Sequence, residues 1–325
     1  MLQFALARGI GEVTIKKAIA FIDHNGLSWD VFVNDGGLLQ QCGLSEDKIE
    51  NIFAARQQAE ILYDILVSKG IELLTVNEKK YPQYLKKTLG EKCPAILFAS
   101  GNIDLLNHTS VGFCGSRKAS EKGIGIAADC AKQLTAEHIA IVSGYAAGTD
   151  LAAHKTALEH DGYTVFVLAE GILRASRKKE IRHLLTKTNH IYVSQFMPNV
   201  AWNAGNAMRR NSVIIGLSRA MILVESGKTG GTFAAGEEAL RVGCPLFVID
   251  FAQPEVTAEA NPYFLAHGGQ PIRGKNGIPN ISRVLDAVNQ DLRSRLQMSQ
   301  ISDDLQLKLI SENTESTLHT HIDGP

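Results

Sequence analysis

The chain has 325 residues, of which 45% are hydrophobic, and its 33 Lys and Arg against 34 Asp and Glu give a formal net charge of −1. This composition is typical of a globular chain with a buried core, and the balanced charge excludes a uniformly basic, histone-like binder. The five cysteines form no CxxC pair, which predicts buried thiols in a reducing cytoplasm and no metal site. We expect neither a signal peptide nor a membrane span, because no apolar run reaches about 18 residues.

Apolar residues recur at helical spacing in the first 70 residues and predict a small all-α N-terminal domain. Gly9-Ile10-Gly11 precedes a predicted helix over 13–22, and Cys42-Gly43-Leu44 precedes another over 47–59. A glycine-centred turn before an amphipathic helix is the helix-hairpin-helix pattern, which can present backbone N–H groups to a nucleic-acid phosphate. A plain helical bundle is the alternative, and Cys42 favours it by standing where a glycine is expected.

From residue 71 onward, short apolar runs alternate with helical stretches. Strands are predicted at 71–76, 95–99, 110–114, 139–143, 164–168, 191–194, 221–224 and 246–249, and helices near 120–136, 149–160, 177–188, 206–217 and 232–242. This alternation predicts an α/β fold with a doubly wound, mostly parallel sheet. We expect that domain to span residues 71–298 with its connector, to include one more helix over 280–296, and to be followed by a polar, flexible tail over 299–325.

Three glycine-rich turns follow predicted strands, where open parallel sheets bind their ligands. Glycine lets the backbone approach an anion, and the helix that follows each turn supplies N–H donors. The third turn is not a Walker loop, because its spacing and residue order differ. The turns therefore predict a pocket for a phosphate-bearing ligand, contributed by Gly115, Ser116, Arg117, Ser143, Gly144, Gly148, Gly230, Gly231 and Thr232.

A basic stretch accompanies these turns. Between residues 168 and 230, ten Lys and Arg oppose three Glu, a net charge of +7. Lys178 and Lys179 lie in its first half, and Arg209-Arg210-Asn211 lies in the predicted helix over 206–217, where arginine and asparagine suit phosphate oxygens and base edges. Such a stretch suits a polyanion, and a solvated basic face without a partner is the alternative.

Several other residues near the turns have two interpretations. Asp150 either caps the helix that follows it or contacts the ligand, and His154, four residues later on the same face, either orients the loop or contacts the ligand. Among the nearby aromatic residues, Tyr145, Phe196 and Trp202 could stack on bases. Tyr145 is the preferred stacking residue, and Phe196 is expected to pack in the core.

Taken together, the segments 110–117, 142–150 with His154, 210–218, 224–232 and 261–272 resemble the DprA/Smf DNA-processing proteins in order and spacing. The resemblance covers roughly residues 1–273 and implies a sterile-alpha-motif-like N-terminal domain followed by an extended Rossmann-like domain. It also implies binding of single-stranded DNA and loading of the RecA recombinase, as in natural transformation. By position it assigns to the binding site Gly115, Ser116, Arg117, Ser143, Gly144, Gly148, Asp150, Arg210, Asn211, Glu225 and Gly231.

The chain departs from the family pattern at several places. Ser212 stands where the family has a second phosphate-binding arginine, and Arg209 is the expected substitute. Gly230 and Ala235 replace a serine and a threonine. The winged-helix domain that ends many members is not expected, since the tail over 299–325 is too short for one.

These observations predict a non-catalytic protein that binds single-stranded DNA, acts in the cytoplasm as a homodimer, and needs no cofactor. The alternative is a nucleotide-binding sensor or a phosphoribohydrolase-like enzyme that uses the same pocket. In that case Glu225, or Glu237 and Glu238 after the third turn, would be the acid that acts on a glycosidic bond.

Overall fold

Helices make up most of the first 68 residues in the computed structural model, which describes residues 1–275 and 277–290. They surround a core that includes the fully buried Phe4, Phe32 and Leu39. Gly9 and Gly43 have φ of 81° and 83°, the left-handed conformation that the predicted glycine-centred turns require. The helices are α1 (Leu2–Leu6), α2 (Glu12–His24), α3 (Trp29–Asn34), α4 (Gly36–Gln41), α5 (Glu46–Ala54) and α6 (Arg56–Ser68).

A nine-stranded sheet follows, with the strand order β1-β2-β6-β5-β4-β3-β7-β8-β9. The strands β3 to β9 are mutually parallel, whereas β1 and β2 pair antiparallel at one edge. The predicted mostly parallel, doubly wound sheet is therefore confirmed. The strands are β1 (Ile71–Thr75), β2 (Ile96–Gly101), β3 (Ser110–Cys114), β4 (Ala140–Gly144), β5 (Thr164–Val167), β6 (His190–Ser194), β7 (Met221–Leu223), β8 (Leu246–Ile249) and β9 (Gln270–Ile272).

Both faces of the sheet are covered, and its central strands β3, β4 and β5 are accordingly buried along their whole length. Ile96 and Phe98 of β2 pack with the N-terminal helices, while the alternate residues Leu97 and Ala99 pack in the cluster on the other face. The helices of the sheet region are α7 (Gln83–Leu89), α8 (Glu121–Ala136), α9 (Thr149–Glu159), α10 (Ala204–Leu217), α11 (Gly231–Arg241) and α12 (Asn261–Ala266). A short hairpin of β10 (Gly274–Lys275) and β11 (Ile278–Pro279) follows β9.

The helix predicted over 177–188 is wrong. That segment consists of turns after a short 3-10 turn at Ile172–Arg174, so β5 connects to β6 without an α-helix. Ile181 is fully buried, which explains the helix-like apolar spacing. The side chain of Asn189 accepts from the Thr186 N–H at 2.8 Å and donates to the Leu184 carbonyl at 2.9 Å, and so satisfies backbone groups without a helix.

The part of the chain after Pro279 forms a second unit that begins at Asn280. Residues 282–290 are helical, and the rest of the helix predicted to 296 and the tail predicted over 299–325 lie outside the described residues. The boundary predicted near residue 70 stays a prediction. Across the described part of the chain, no helix combines the length and apolar character needed to span a membrane. All five cysteines are unpaired and buried, as predicted.

Candidate functional site

A cleft of about 570 Å³, here called the central cleft, lies at the carboxyl ends of β3, β4 and β7. The strand order reverses between β3 and β7, and ligands of open α/β sheets bind at such a switch point. The volume is in the range of small-molecule and cofactor sites. Among the residues that line the cleft are Gly115, Ser116, Arg117, Ala146, Asp150, Trp202, Arg210, Asn211, Thr229, Gly230, Gly231 and Thr232.

The turn after β3 is held closely by its neighbours. A Cβ at Gly115 would lie 2.3 Å from Oγ1 of Thr149, so only glycine fits there. The Ser116 N–H donates to the Glu225 carbonyl at 2.9 Å, and the Ser116 Oγ accepts from the Lys118 N–H at 3.0 Å. The exposed side chain of Arg117 comes next and lines the cleft, with its guanidinium 5.4 Å from the Trp202 ring centre.

The turn after β4 packs against the first one. Gly148 has a φ of 72°, and a Cβ there would lie 2.5 Å from the Ser116 carbonyl oxygen. Ser143 is fully buried and its hydroxyl donates to the Phe113 carbonyl at 2.8 Å. The structure therefore does not bring Ser143, Gly144 or Gly148 to the surface of the central cleft, but uses them to shape it.

His154 is the orienting residue of the second turn. Its Nε2 lies 2.8 Å from the Gly144 carbonyl oxygen and its Nδ1 lies 2.5 Å from Oγ1 of Thr164. The side chain is fully buried, and burial lowers its pKa to about 3, which keeps the imidazole neutral. Of the two interpretations of this residue, the structure supports orientation of the loop.

Asp150 and Arg210 place opposite charges at the floor of the central cleft, each only 7% exposed. Burial raises the pKa of Asp150 and Arg210 opposes that shift; burial also lowers the pKa of Arg210, which Asp150 opposes in turn. The Arg210 Nη1 donates to the Val167 carbonyl at 3.2 Å, while its Nε has no hydrogen-bond partner among the described residues. The wall of the cleft thus contains a buried cation, and a buried positive charge favours an anionic ligand.

The turn after β7 adds a helix N-terminus. Gly230 has a φ of 95° and precedes α11, whose first N–H groups have no partner within the helix. Gly230, Gly231 and Thr232 all line the central cleft, and the Asn211 side chain donates to the Gly231 carbonyl at 3.1 Å. Such a terminus is a ready site for an anion.

Glu225 is fully buried beneath these turns and does not line the central cleft. Its carboxylate accepts from the N–H and the hydroxyl of Ser120 at 2.9 and 2.5 Å and from Oγ1 of Thr257 at 2.7 Å. Glu225 therefore lies away from the surface of the central cleft, and it joins the segment before α8 to the segment after β8.

A second cleft of about 290 Å³, the Tyr145 cleft, adjoins the central cleft. Lys178 lines it with its Nζ 4.8 Å from the Tyr145 ring centre, and the Lys178 N–H donates to the Tyr145 hydroxyl at 2.7 Å. Lys179 is exposed and does not appear in the wall of either cleft. Of this predicted pair, only Lys178 reaches the site.

A third cleft of about 440 Å³, the Arg209 cleft, also borders α10 and shares the lining residues Met208 and Asn211 with the central cleft. Arg209 lines it together with Lys92 and Ser212, and its guanidinium lies 5.4 Å from the ring centre of Phe196. Arg209 therefore lines a different cleft from Arg210 and does not supply the missing arginine to the central cleft.

Trp202 is the aromatic residue that the site exposes. It is 48% exposed and lines both the central and the Tyr145 cleft. Tyr145, the residue that the sequence favours, has its ring packed at 5.1 Å from that of Phe166 and 5.5 Å from that of Tyr192. Phe196 is 5% exposed, as its predicted core role requires.

The acids suggested for an enzymatic function lie elsewhere. Glu237 is exposed on α11, and Glu238 forms an ion pair with Arg241. Among the described residues that line the central cleft, Asp150 is the only acid. In the described ranges, no group of three His, Cys, Asp or Glu residues is placed to hold a metal ion.

This chain is similar to proteins of known family. Residues 72–279 match the family model of the DNA recombination-mediator protein A. The DNA processing protein DprA of Streptococcus pneumoniae is 32% identical over 158 residues, which are 48% of this chain and 55% of the relative. The chain spans 55–61% of the length of the first curated relatives that it matches.

Two solved structures share the fold. The X-ray structure of DprA from Streptococcus pneumoniae has a TM-score of 0.69 and 22% identity, over 85% of this chain and 94% of that chain. The structure of DprA from Helicobacter pylori, a protein with a single-stranded DNA binding mode, has a TM-score of 0.55 and 21% identity, over 69% of this chain and 96% of that chain.

Proposed function

This chain belongs to the DNA recombination-mediator protein A family, and we propose that it binds single-stranded DNA in the central cleft without catalysing a reaction on it. One observation carries the proposal: glycine-rich turns from β3 and β7 meet the buried cation Arg210 in a single cleft. The single-stranded DNA binding mode of DprA from Helicobacter pylori, which shares the fold, supports the same ligand class.

The cleft has the donors that a phosphate needs. The guanidinium groups of the buried Arg210 and the exposed Arg117 both line the cleft, and the N-terminus of α11 adds backbone N–H groups behind Gly231. Two cations oppose Asp150, so the lining carries a net charge of +1. Phosphate contacts of this kind position a strand but carry no sequence information.

The exposed ring of Trp202 favours single-stranded over double-stranded DNA as the ligand. Its exposed ring lies beside the guanidinium of Arg117, in the wall of the cleft. A base stacks on an aromatic ring only when its face is free, as in a single strand. A duplex hides those faces between neighbouring base pairs.

A gel shift with single- and double-stranded oligonucleotides of the same sequence, at two salt concentrations, tests the proposal. We expect a shift for the single strand that weakens steeply with salt, and a stronger loss for Arg117→Glu than for Lys118→Glu, which changes the neighbouring exposed residue. Arg210→Lys is the suitable second variant, because it keeps the charge opposite Asp150. Equal binding of both strands, or no binding at low salt, would contradict the proposal.

We further propose that the chain acts in DNA processing during natural transformation or recombination, in the cytoplasm and as a homodimer, with the RecA recombinase as a partner. These points rest on family membership. Assembly of RecA on single-stranded DNA that is already covered by a single-strand-binding protein tests the partner, and acceleration by this chain is the expected result. Sedimentation at several protein concentrations tests the homodimer.

A nucleotide-binding sensor or a phosphoribohydrolase-like enzyme is the second candidate, and Asp150 is the observation that favours it. This acid lies in the central cleft and burial raises its pKa, as a general acid requires. Incubation with nucleoside monophosphates and detection of released base tests the enzyme. Turnover that is lost in Asp150→Asn would establish it.

A further inference from the structure

The central cleft shares a wall with a cleft on each side. Arg117 and Trp202 line both the central and the Tyr145 cleft, whereas Met208 and Asn211 line both the central and the Arg209 cleft. The three clefts therefore form a row that passes the first turns of α10. A single nucleotide fills one of them, and a longer ligand is needed to reach all three.

The segment 198–203, which carries Trp202 between the central cleft and the Tyr145 cleft, is held by backbone hydrogen bonds. The Val200 carbonyl accepts from the Gly171 N–H at 2.8 Å and the Pro198 carbonyl accepts from the Leu173 N–H at 3.0 Å. Directly after Trp202, the Asn203 side chain caps α10 by accepting from the Asn206 N–H at 2.7 Å. These contacts fix the backbone on both sides of Trp202, whose exposed side chain lies between the central cleft and the Tyr145 cleft.

Each cleft presents cations that form no ion pair with a described acid. The Tyr145 cleft has Lys178 opposite Glu170, and the Arg209 cleft has Arg209 and Lys92. The two acids of the Arg209 cleft already have partners. Glu12 accepts from the Ala95 N–H, and Glu238 pairs with Arg241.

We propose that the three clefts form one track for consecutive nucleotides of a single strand. In this track Trp202 stacks on a base between the Tyr145 and central clefts, while Arg209 and Lys92 bind phosphates beyond α10. The inference rests on the proposed function and adds to it that the bound strand continues from the central cleft into the Tyr145 cleft and the Arg209 cleft. The separate positions of Arg209 and Arg210, adjacent in sequence but in different clefts, are thereby explained.

Competition by unlabelled oligo-dT against a labelled strand of about 20 nucleotides gives the first test. We expect thymidine monophosphate to compete poorly and affinity to rise with each nucleotide up to on the order of four. Equal competition by the monophosphate and by longer strands would overturn the track. Failure of every strand to bind would instead remove the proposed function itself.

The double variant Lys92→Glu/Arg209→Glu gives the second test, with Lys79→Glu/Lys132→Glu as a control of equal charge change at exposed sites outside the three clefts. We expect the variant to bind an eight-nucleotide strand at least about tenfold more weakly, and to lower its salt slope by about 1.4 for two lost phosphate contacts. Its affinity for a dinucleotide should match that of the control. Equal losses for both strands, or none beyond the control, would overturn the inference.

Discussion

The guanidinium of Arg210 lies directly against Gly144, so that a Cβ at position 144 would lie 1.7 Å from Nη1. The same nitrogen donates to the Val167 carbonyl at 3.2 Å. The backbone at the ends of β4 and β5 therefore forms the surface on which this buried cation rests. Glycine at 144 is needed for this close approach and not for an unusual backbone angle.

Gly144→Ala should displace Arg210 and weaken the binding of single-stranded DNA. The expected loss is about 1.5–3 kcal/mol, the contribution of a hydrogen bond to a charged group. Fluorescence anisotropy with a labelled oligo-dT measures it. Gly125→Ala on α8 is the matched control, because nothing lies within 4 Å of a Cβ there. Equal affinities of the two variants would contradict the proposed role of Arg210.

Trp202→Ala should cost about 1–3 kcal/mol of binding free energy, as expected for a base stacked on an aromatic ring, and Trp202→Phe should restore much of it. The chain has two tryptophans, and the other, Trp29, packs on Phe4 and Phe32 among the N-terminal helices. In a Trp29→Phe background, the fluorescence of Trp202 alone should be quenched as oligo-dT is added. Unchanged emission at saturating DNA would exclude stacking.

His154 should make the folded state less stable in mild acid. Its pKa is about 3 when folded and about 6.5 when unfolded, so the unfolded state binds more protons between these values. The stability is therefore complete above about pH 6.5 and is lost as the pH falls, by about 2 kcal/mol at about pH 5. Urea denaturation at about pH 7.5 and about pH 5 measures this loss.

The variant His154→Gln isolates that contribution from those of the carboxyl groups. A glutamine amide can still donate to the Gly144 carbonyl but does not titrate, so the difference in stability between the two pH values should shrink by about 2 kcal/mol relative to the parent chain. An unchanged difference would show that His154 does not control the acid sensitivity.

Glu225→Gln should destabilise the fold with little direct effect on DNA contacts. The change removes the charge that accepts hydrogen bonds from Ser120 and Thr257, and hydrogen bonds to charged groups contribute about 1.5–3 kcal/mol each. Urea denaturation should show the loss, whereas Glu50→Gln at an exposed position of α5 should change stability by less than about 0.5 kcal/mol. Tighter DNA binding at unchanged stability would instead indicate that Glu225 faces the ligand.

The strands and their parallel order could be predicted because a sheet covered on both faces needs apolar runs, as at Leu246–Ile249. Helical spacing failed at residues 177–188, where Ile181 is buried by tertiary packing and not by a helix. Helix α7 was not predicted for the same reason. Its buried Leu85 and Leu89 follow Pro82 in a segment that is mostly polar in sequence. Local patterns carry no information on which surface covers an apolar side chain.

The sequence predicted which turns form the candidate site, but not which side chains line its clefts. Glycine at strand ends indicated where an anion could bind, and Gly115 and Gly230 do line the central cleft. The direction of each side chain depends on contacts distant in sequence. Tyr145 turns its hydroxyl toward the Lys178 N–H, and Glu225 turns inward to Ser120, so neither residue lies where its position in the motif suggests.

The three clefts are open to solvent along one side and are not enclosed tunnels. A strand bound there, as proposed, enters laterally and needs no free terminus to thread. A covalently closed circular strand should therefore bind as well as a linear one of equal length, and a single-stranded gap flanked by duplex should be as accessible as an end. The proposed mode of binding thus predicts that affinity does not depend on strand ends.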